Sequence, residues 1–177
     1  MFKQKQTGFT LVELVIVIVL LGLLAATALP RFLNVTDDAQ RASLEGVAGG
    51  FTTGLLLVRA QWVAEGNTQP AAEGVAVEMD GATIFVNENG WPAKTNNANN
   101  AGTTDMNDAR CQQVWEGILQ SPPTSVAGNG AVDGERFVIT AQGGSTCRYA
   151  LVINDAESPD YFFEYDVVTG TVTVTNP

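Results

Sequence analysis

Histidine is absent from all 177 residues. Its absence removes the usual general base, the usual zinc ligand and every Ser-His or Cys-His nucleophile arrangement at once. Cysteine is almost absent too: Cys111 and Cys147 are the only two, and they do not form the Cys-x-x-Cys pattern of a redox-active dithiol. Positive charge is scarce, with 9 Lys and Arg against 19 Asp and Glu and a formal net charge of −10. Such a surface repels phosphate backbones and no basic cluster interrupts it, so nucleic acid is not an expected partner. No catalytic residue, cofactor or metal is expected. Asn154, Asp155, Glu157 and Asp160 do supply oxygens at short spacing. They lack the spacing of the twelve-residue calcium loop and fall short of six converging oxygens, so they read as a solvated turn, with calcium binding as the alternative.

What the chain has instead is a long apolar run. Gly8-Phe9-Thr10-Leu11-Val12-Glu13 leads without a break into Leu14 to Leu29. From Phe9 to Leu29 there are about 21 residues, which as a helix measure roughly 31 Å, the thickness of a bilayer core. A carboxylate inside such a segment costs about 2.5 to 3.5 kcal/mol on insertion scales and marks a functional position. No residue from Thr10 to Leu29 can neutralise Glu13; the nearest bases are Lys3 and Lys5 upstream and Arg31 beyond the run. Its partner must come from elsewhere. Lys3 and Lys5 hold the leading end in the cytoplasm by the positive-inside tendency. A secretory signal cut after Ala28, at Ala26-Thr27-Ala28, is the competing reading. Glu13 and a helical pattern that continues past the cut stand against it.

The glycine, the phenylalanine start, Glu13, the unbroken apolar stretch and Pro30 at its exit resemble the N-terminus of a type IV prepilin. In that family a membrane aspartyl peptidase cuts between the glycine and the phenylalanine and methylates the new N-terminus. The resemblance therefore implies a leader at residues 1–8, processing at Gly8 and Phe9, and Glu13 as an assembly residue that meets the freed amine of Phe9 on a neighbouring subunit. Arg31-Phe32-Leu33-Asn34 and a helix ending near Trp62-Val63-Ala64-Glu65-Gly66 are similar more narrowly to the mannose-sensitive haemagglutinin (MSHA) branch of these pilins. The implied product is a structural subunit rather than an enzyme. It is a single-pass inner-membrane precursor with a periplasmic head, later part of an extracellular pilus serving adhesion and motility. Its implied partners are identical or related pilin subunits, the prepilin peptidase/methyltransferase and the inner-membrane assembly machinery. Two relatives share this N-terminus: a minor pilin that initiates the filament, and a pseudopilin of type II secretion, which holds calcium in a C-terminal loop and generally lacks a disulfide. An even pair of cysteines in an exported domain reads first as a disulfide, and a bridge of this kind in type IV pilins ties the C-terminal part of the head to its sheet. Closing the loop of about 36 residues between Cys111 and Cys147 stabilises by something near 4 kcal/mol in the chain-entropy model.

The expected class is α+β, the type IV pilin fold, with a long kinked helix packed on an antiparallel sheet head. Residues 9–29 form the transmembrane or filament-core helix, 30–65 its amphipathic continuation and 66–177 the globular β head. Pro30 lacks an amide hydrogen and clashes with the preceding turn, so a helix through it bends; the alternative is that Pro30 opens a second helix. Leu44, Ala48, Phe51, Leu55, Val58 and Trp62 recur at helical spacing and predict one covered face. On another face Gly46, Gly50 and Gly54, with Gly49 beside them, imply close approach of a second element or a helix made to loosen. Strands are predicted at Val75 to Met79 and Ala82 to Val86 around the turn Asp80-Gly81, and at Arg136 to Ala141, Thr146 to Val152, Tyr161 to Asp166 and Thr171 to Thr175, the last two joined at Thr169-Gly170. Lys94 to Thr104 reads as loop. A short helix capped by Thr104 or Asp105 runs to Leu119, ahead of Pro122-Pro123. Trp91-Pro92 and Tyr161-Phe162-Phe163 read as core by their strand context, with an exposed glycan-contacting surface as the alternative.

Overall fold

The structure, a computed structural model, describes residues 9–67, 74–79, 81–95, 102–128, 130 and 132–177, with backbone only for 29–34. Helix α1 covers Leu11–Ala64, and the chain divides into two compact units at Gln40 and Arg41. In the first unit α1 passes through Pro30 with no break in its helical backbone.

The second unit, Arg41–Pro177, carries a core of its own. The predicted stripe of α1 is buried at every position, from Leu44 through Phe51 to Trp62. It shares one core with residues of β1 (Val75–Met79), β2 (Ala82–Val86), α2 (Asp108–Ile118), β5 (Phe137–Ala141), β6 (Thr146–Ile153) and β7 (Ala156–Asp166), beside the further strands β3 (Pro92–Lys94), β4 (Ser125–Ala127) and β8 (Thr171–Thr175). Phe51 is the hub, with ring centroids 5.1 Å from Tyr149, 5.4 Å from Phe163, 5.6 Å from Tyr165 and 6.3 Å from Trp115. Alternation along the strands puts Tyr149, Phe163 and Tyr165 on one face because successive side chains point to opposite sides, and α2 brings Trp115 to the same cluster.

The strands form two sheets, β1-β2-β3 and β4-β5-β6-β7-β8. All pairings are antiparallel except β4 with β5, which run parallel. The parallel pair and the three-residue strands β3 and β4 differ from the sequence expectation: strands this short carry no periodicity to find. Pro92 tolerates its place because β3 is an edge. Strand β7 starts at Ala156 rather than Tyr161, so Asn154 and Asp155 form a two-residue turn closed by Ile153 opposite Ala156. Both turn residues have positive φ, 53° and 58°, the conformation that a tight hairpin demands.

Helix α2 is capped by Asn107, not by Thr104 or Asp105: its side-chain oxygen accepts from the Arg110 amide at 3.0 Å. Asn satisfies the exposed first-turn donors as well as Thr or Asp does, so residue type does not favour Thr104 or Asp105 over Asn107. Cys111, Val114, Trp115 and Ile118 turn inward. Cys111 is bonded to Cys147 on β6, the Cα atoms 5.5 Å apart, and the Tyr149 hydroxyl donates to the Cys111 carbonyl at 3.1 Å. The glycine face of α1 resolves into single cases. A Cβ on Gly54 would stand 2.5 Å from Ile118 Cγ2 and 2.9 Å from the Ile118 carbonyl oxygen, whereas Gly46 and Gly49 look onto open space.

Gly54→Ala is therefore expected to lower the melting temperature of the head, and Gly46→Ala to raise stability by about 0.5–1 kcal/mol through helix propensity. Thermal unfolding of the two variants reads the contrast; equal effects would contradict it. Burial also pushes the Tyr149 and Tyr165 phenols well above their ordinary value. A raised folded pKa contributes stability that is complete below the unfolded value of about 10 and lost as pH rises beyond it. In an alkaline titration these two tyrosinates should appear only together with loss of the near-ultraviolet dichroism; ionisation of all three tyrosines in a folded head would contradict this.

Candidate functional site

The N-terminal end of α1 is built by two polar side chains in an apolar setting. Thr10 accepts the Leu14 amide on its carbonyl at 3.3 Å, which makes it the N-cap. The Thr10 hydroxyl accepts from the Glu13 amide at 3.3 Å, and Glu13 Oε2 accepts from the Thr10 amide at 2.8 Å and the Thr10 hydroxyl at 2.9 Å. This is a reciprocal capping box, in which one side chain each way satisfies orphan helix donors. Thr10 is not among the residues expected from the sequence to serve the site. The signal was present, a Thr with Glu three positions on ahead of an apolar run.

Around this cap nothing is covered. Phe9 is 90% exposed, and Leu11 to Thr27 are all exposed. Leu11–Ala28 is long and apolar enough to cross a membrane. The Thr27 hydroxyl removes its own polarity by donating to the Leu24 carbonyl at 2.9 Å. Among the described residues Glu13 has no ion pair; the one ion pair there joins Arg148 and Glu164 at 2.9 Å. The Glu13 carboxylate is thus held by a neutral partner on its own chain.

Of the other expected site residues, Gly8 lies outside the described residues, Pro30 lies within α1, and Cys111 and Cys147 form the bridge. The Asp80-Gly81 turn and the Lys94 to Thr104 tract lie partly outside them. Asn154 and Asp155 make the β6–β7 turn, while Glu157 and Asp160 stand on β7. No group of three or more acidic or cysteine side chains placed to hold a metal ion occurs among the described residues. The aromatic tracts do not form an exposed platform. Tyr161 and Phe163 are buried, Phe162 lies under the Arg148 guanidinium at 4.1 Å, and Trp91 lies under that of Arg59 at 4.3 Å. Trp91 also presses on Gly170, where a Cβ would come within 2.1 Å of its ring.

The long N-terminal helix, the sheet head and the single Cys111–Cys147 disulfide make this the type IV pilin fold. The family model for the prokaryotic N-terminal methylation motif matches residues 3–29. The chain is similar to the type IV narrow pilus major component PilA5 of Thermus thermophilus, 43% identical over 58 residues, 33% of this chain and 50% of that protein. It is also similar to a fimbrial protein of Neisseria meningitidis serogroup A, 28% identical over 139 residues, 77% of this chain and 66% of the relative. A third similarity is to the type II secretion system core protein G of Pseudomonas aeruginosa, 30% identical over 81 residues, 46% of this chain and 57% of that protein. The chain spans about half the length of the Thermus protein and about two thirds of the Neisseria one. No solved structure gives a significant match.

Proposed function

We propose that this chain is a type IV pilin subunit, made as a single-pass inner-membrane precursor with its head in the periplasm and assembled into an extracellular pilus. The observation that carries this reading is a helix exposed and apolar on all sides, headed by a carboxylate that only a neutral cap engages. Cleavage between Gly8 and Phe9 by a prepilin peptidase and methylation of Phe9 would create a cation next to Thr10. On a neighbouring subunit that cation meets Glu13. Inside a sheath of apolar helices an unpaired charge costs several kcal/mol, so this pair sets the register between subunits more than it adds stability. Burial of the helix surface against neighbours drives association at about 25 cal/mol per Å² before ordering costs. Open, head-to-tail contacts of this kind extend indefinitely.

The same helix offers a second contact on the head. Leu56, Leu57 and Val63 are 56%, 55% and 50% exposed on the side of α1 away from the core, with Gly46 and Gly49 open on that side. A bend at Pro30 fits this role, since proline withdraws one backbone bond from the helix. Arg31-Phe32-Leu33-Asn34 and the end of α1 at Ala64 favour the MSHA-like branch, with surface adhesion and motility as the task of the filament. The Pseudomonas similarity favours a second reading, a pseudopilin of type II secretion. A C-terminal calcium loop belongs to that reading, and the corresponding tract here closes as a two-residue hairpin.

Glu13→Ala is the decisive variant. It should be inserted and trimmed normally, yet be missing from filaments sheared off the cell surface, a loss read by immunoblot of the sheared fraction. Normal incorporation of the variant would overturn the pairing, and absence of the native chain from any surface filament would favour the secretion role.

A further inference from the structure

Strand β8 is an edge whose backbone bonding on one side is open, and its phase can be fixed. The Val167 amide donates to the Ser145 carbonyl at 3.0 Å, so Asp166, the next residue back, turns its backbone groups away from β6 and toward β8. Asp166, Glu164 and Phe162 lie opposite Thr171, Thr173 and Thr175. These threonines are the β8 residues bonded to β7, and Val172 and Val174 present N–H and C=O outward. β8 is the last strand of its sheet, and no bond to these groups occurs among the described residues.

Edge strands of this kind are usually protected by lysine, proline, a bulge or brevity. β8 has none of these: Thr171–Thr175 is five residues of alternating Thr and Val, with a regular register against β7. The end of the strand is also held in place. Asn176 donates to Glu45 at 2.9 Å and the Arg41 guanidinium donates to the Pro177 carbonyl, so little ordering remains to be lost on pairing.

We infer that β8 is a self-association edge, and that its partner is β8 of a second copy of this chain, running antiparallel across a two-fold axis. The sequence Thr-Val-Thr-Val-Thr reads the same in both directions. With Thr173 on the axis, Val172 of each copy stands opposite Val174 of the other, and these are the residues whose backbone groups point outward. That register exchanges every free bond of the edge. It sets Val against Val and Thr against Thr on the two faces, and brings no like charges together, whereas a peptide of unrelated sequence meets only the backbone half of this match. The two-fold contact is self-complementary in the sense an isologous interface requires. It does not depend on the filament reading. If filaments form, the same edge repeated along them would join neighbouring filaments side by side by many weak contacts.

Across the axis Thr173 faces its own copy as a non-hydrogen-bonded pair, with Cα atoms about 4.5 Å apart, within disulfide range. Thr173→Cys in the full-length chain, in detergent micelles diluted so that chains do not share one by chance, should give a covalent homodimer on mild oxidation. The exposed control Gln142→Cys should not. Adding Val174→Pro removes an outward donor that β7 does not use and should abolish the crosslink without changing the melting temperature. Crosslinking of Thr173→Cys no faster than the control, or its survival in the proline variant, would overturn the proposal. Thr173→Lys and Thr173→Glu leave the backbone intact; each should be monomeric alone and the two should pair when mixed. A mixture that stays monomeric would equally overturn it.

Discussion

A helix that is apolar on every face cannot rest in water, and among the described residues Leu11 to Thr27 are all exposed. Each large aliphatic left exposed there forgoes about 1.5–3 kcal/mol of burial. The segment needs a bilayer or other chains around it, and its two polar features answer that demand differently. Thr27 hides its hydroxyl on a helix carbonyl. Glu13 is the exception, and the cap formed with Thr10 makes it bearable. Two hydrogen bonds to a neutral threonine orient the carboxylate without neutralising it, which leaves a charge that a neighbouring cation can complete.

From Leu44 onward the same helix obeys a different constraint. One face is buried within the head, and it meets an aromatic cluster assembled from α2, β6 and β7 around Phe51. The disulfide joins α2 to β6 inside the same buried core, and the Tyr149 hydroxyl ties the same helix turn by a second route. Gly54 lets Ile118 approach the backbone of α1. Asn87 links the two sheets: its side chain donates to the Val167 carbonyl at 2.6 Å and accepts from the Trp91 amide at 3.1 Å. A buried polar group so fully satisfied fixes loop positions that apolar contact alone would leave sliding.

Much of this was legible in the sequence because it rests on periodicity and strong local chemistry. The stripe from Leu44 to Trp62, the strands β1, β2, β5, β6 and β8, and the inward side chains of α2 follow from spacing. The position of Glu13 and the pairing of the only two cysteines follow from chemistry. What escaped has tertiary causes. Strands β3 and β4 exist because neighbours offer them backbone partners, not through any pattern of their own. Which glycine of the α1 face is necessary depends on where Ile118 lies, and only Gly54 is crowded by it. The strand context reads Trp91 and Phe162 as core, but that they lie half-buried beneath Arg59 and Arg148 is set by residues distant in sequence. The Thr10 cap is written in the sequence as a threonine three positions ahead of Glu13.

The central claim is that Glu13 awaits an amine created by trimming at Gly8. Intact-mass and N-terminal analysis of the chain recovered from the cell envelope tests it most directly. The predicted result is a mature polypeptide that begins at N-methylated Phe9. A chain that retains residues 1–8, or one that begins at Leu29 after loss of the whole apolar segment, would contradict it.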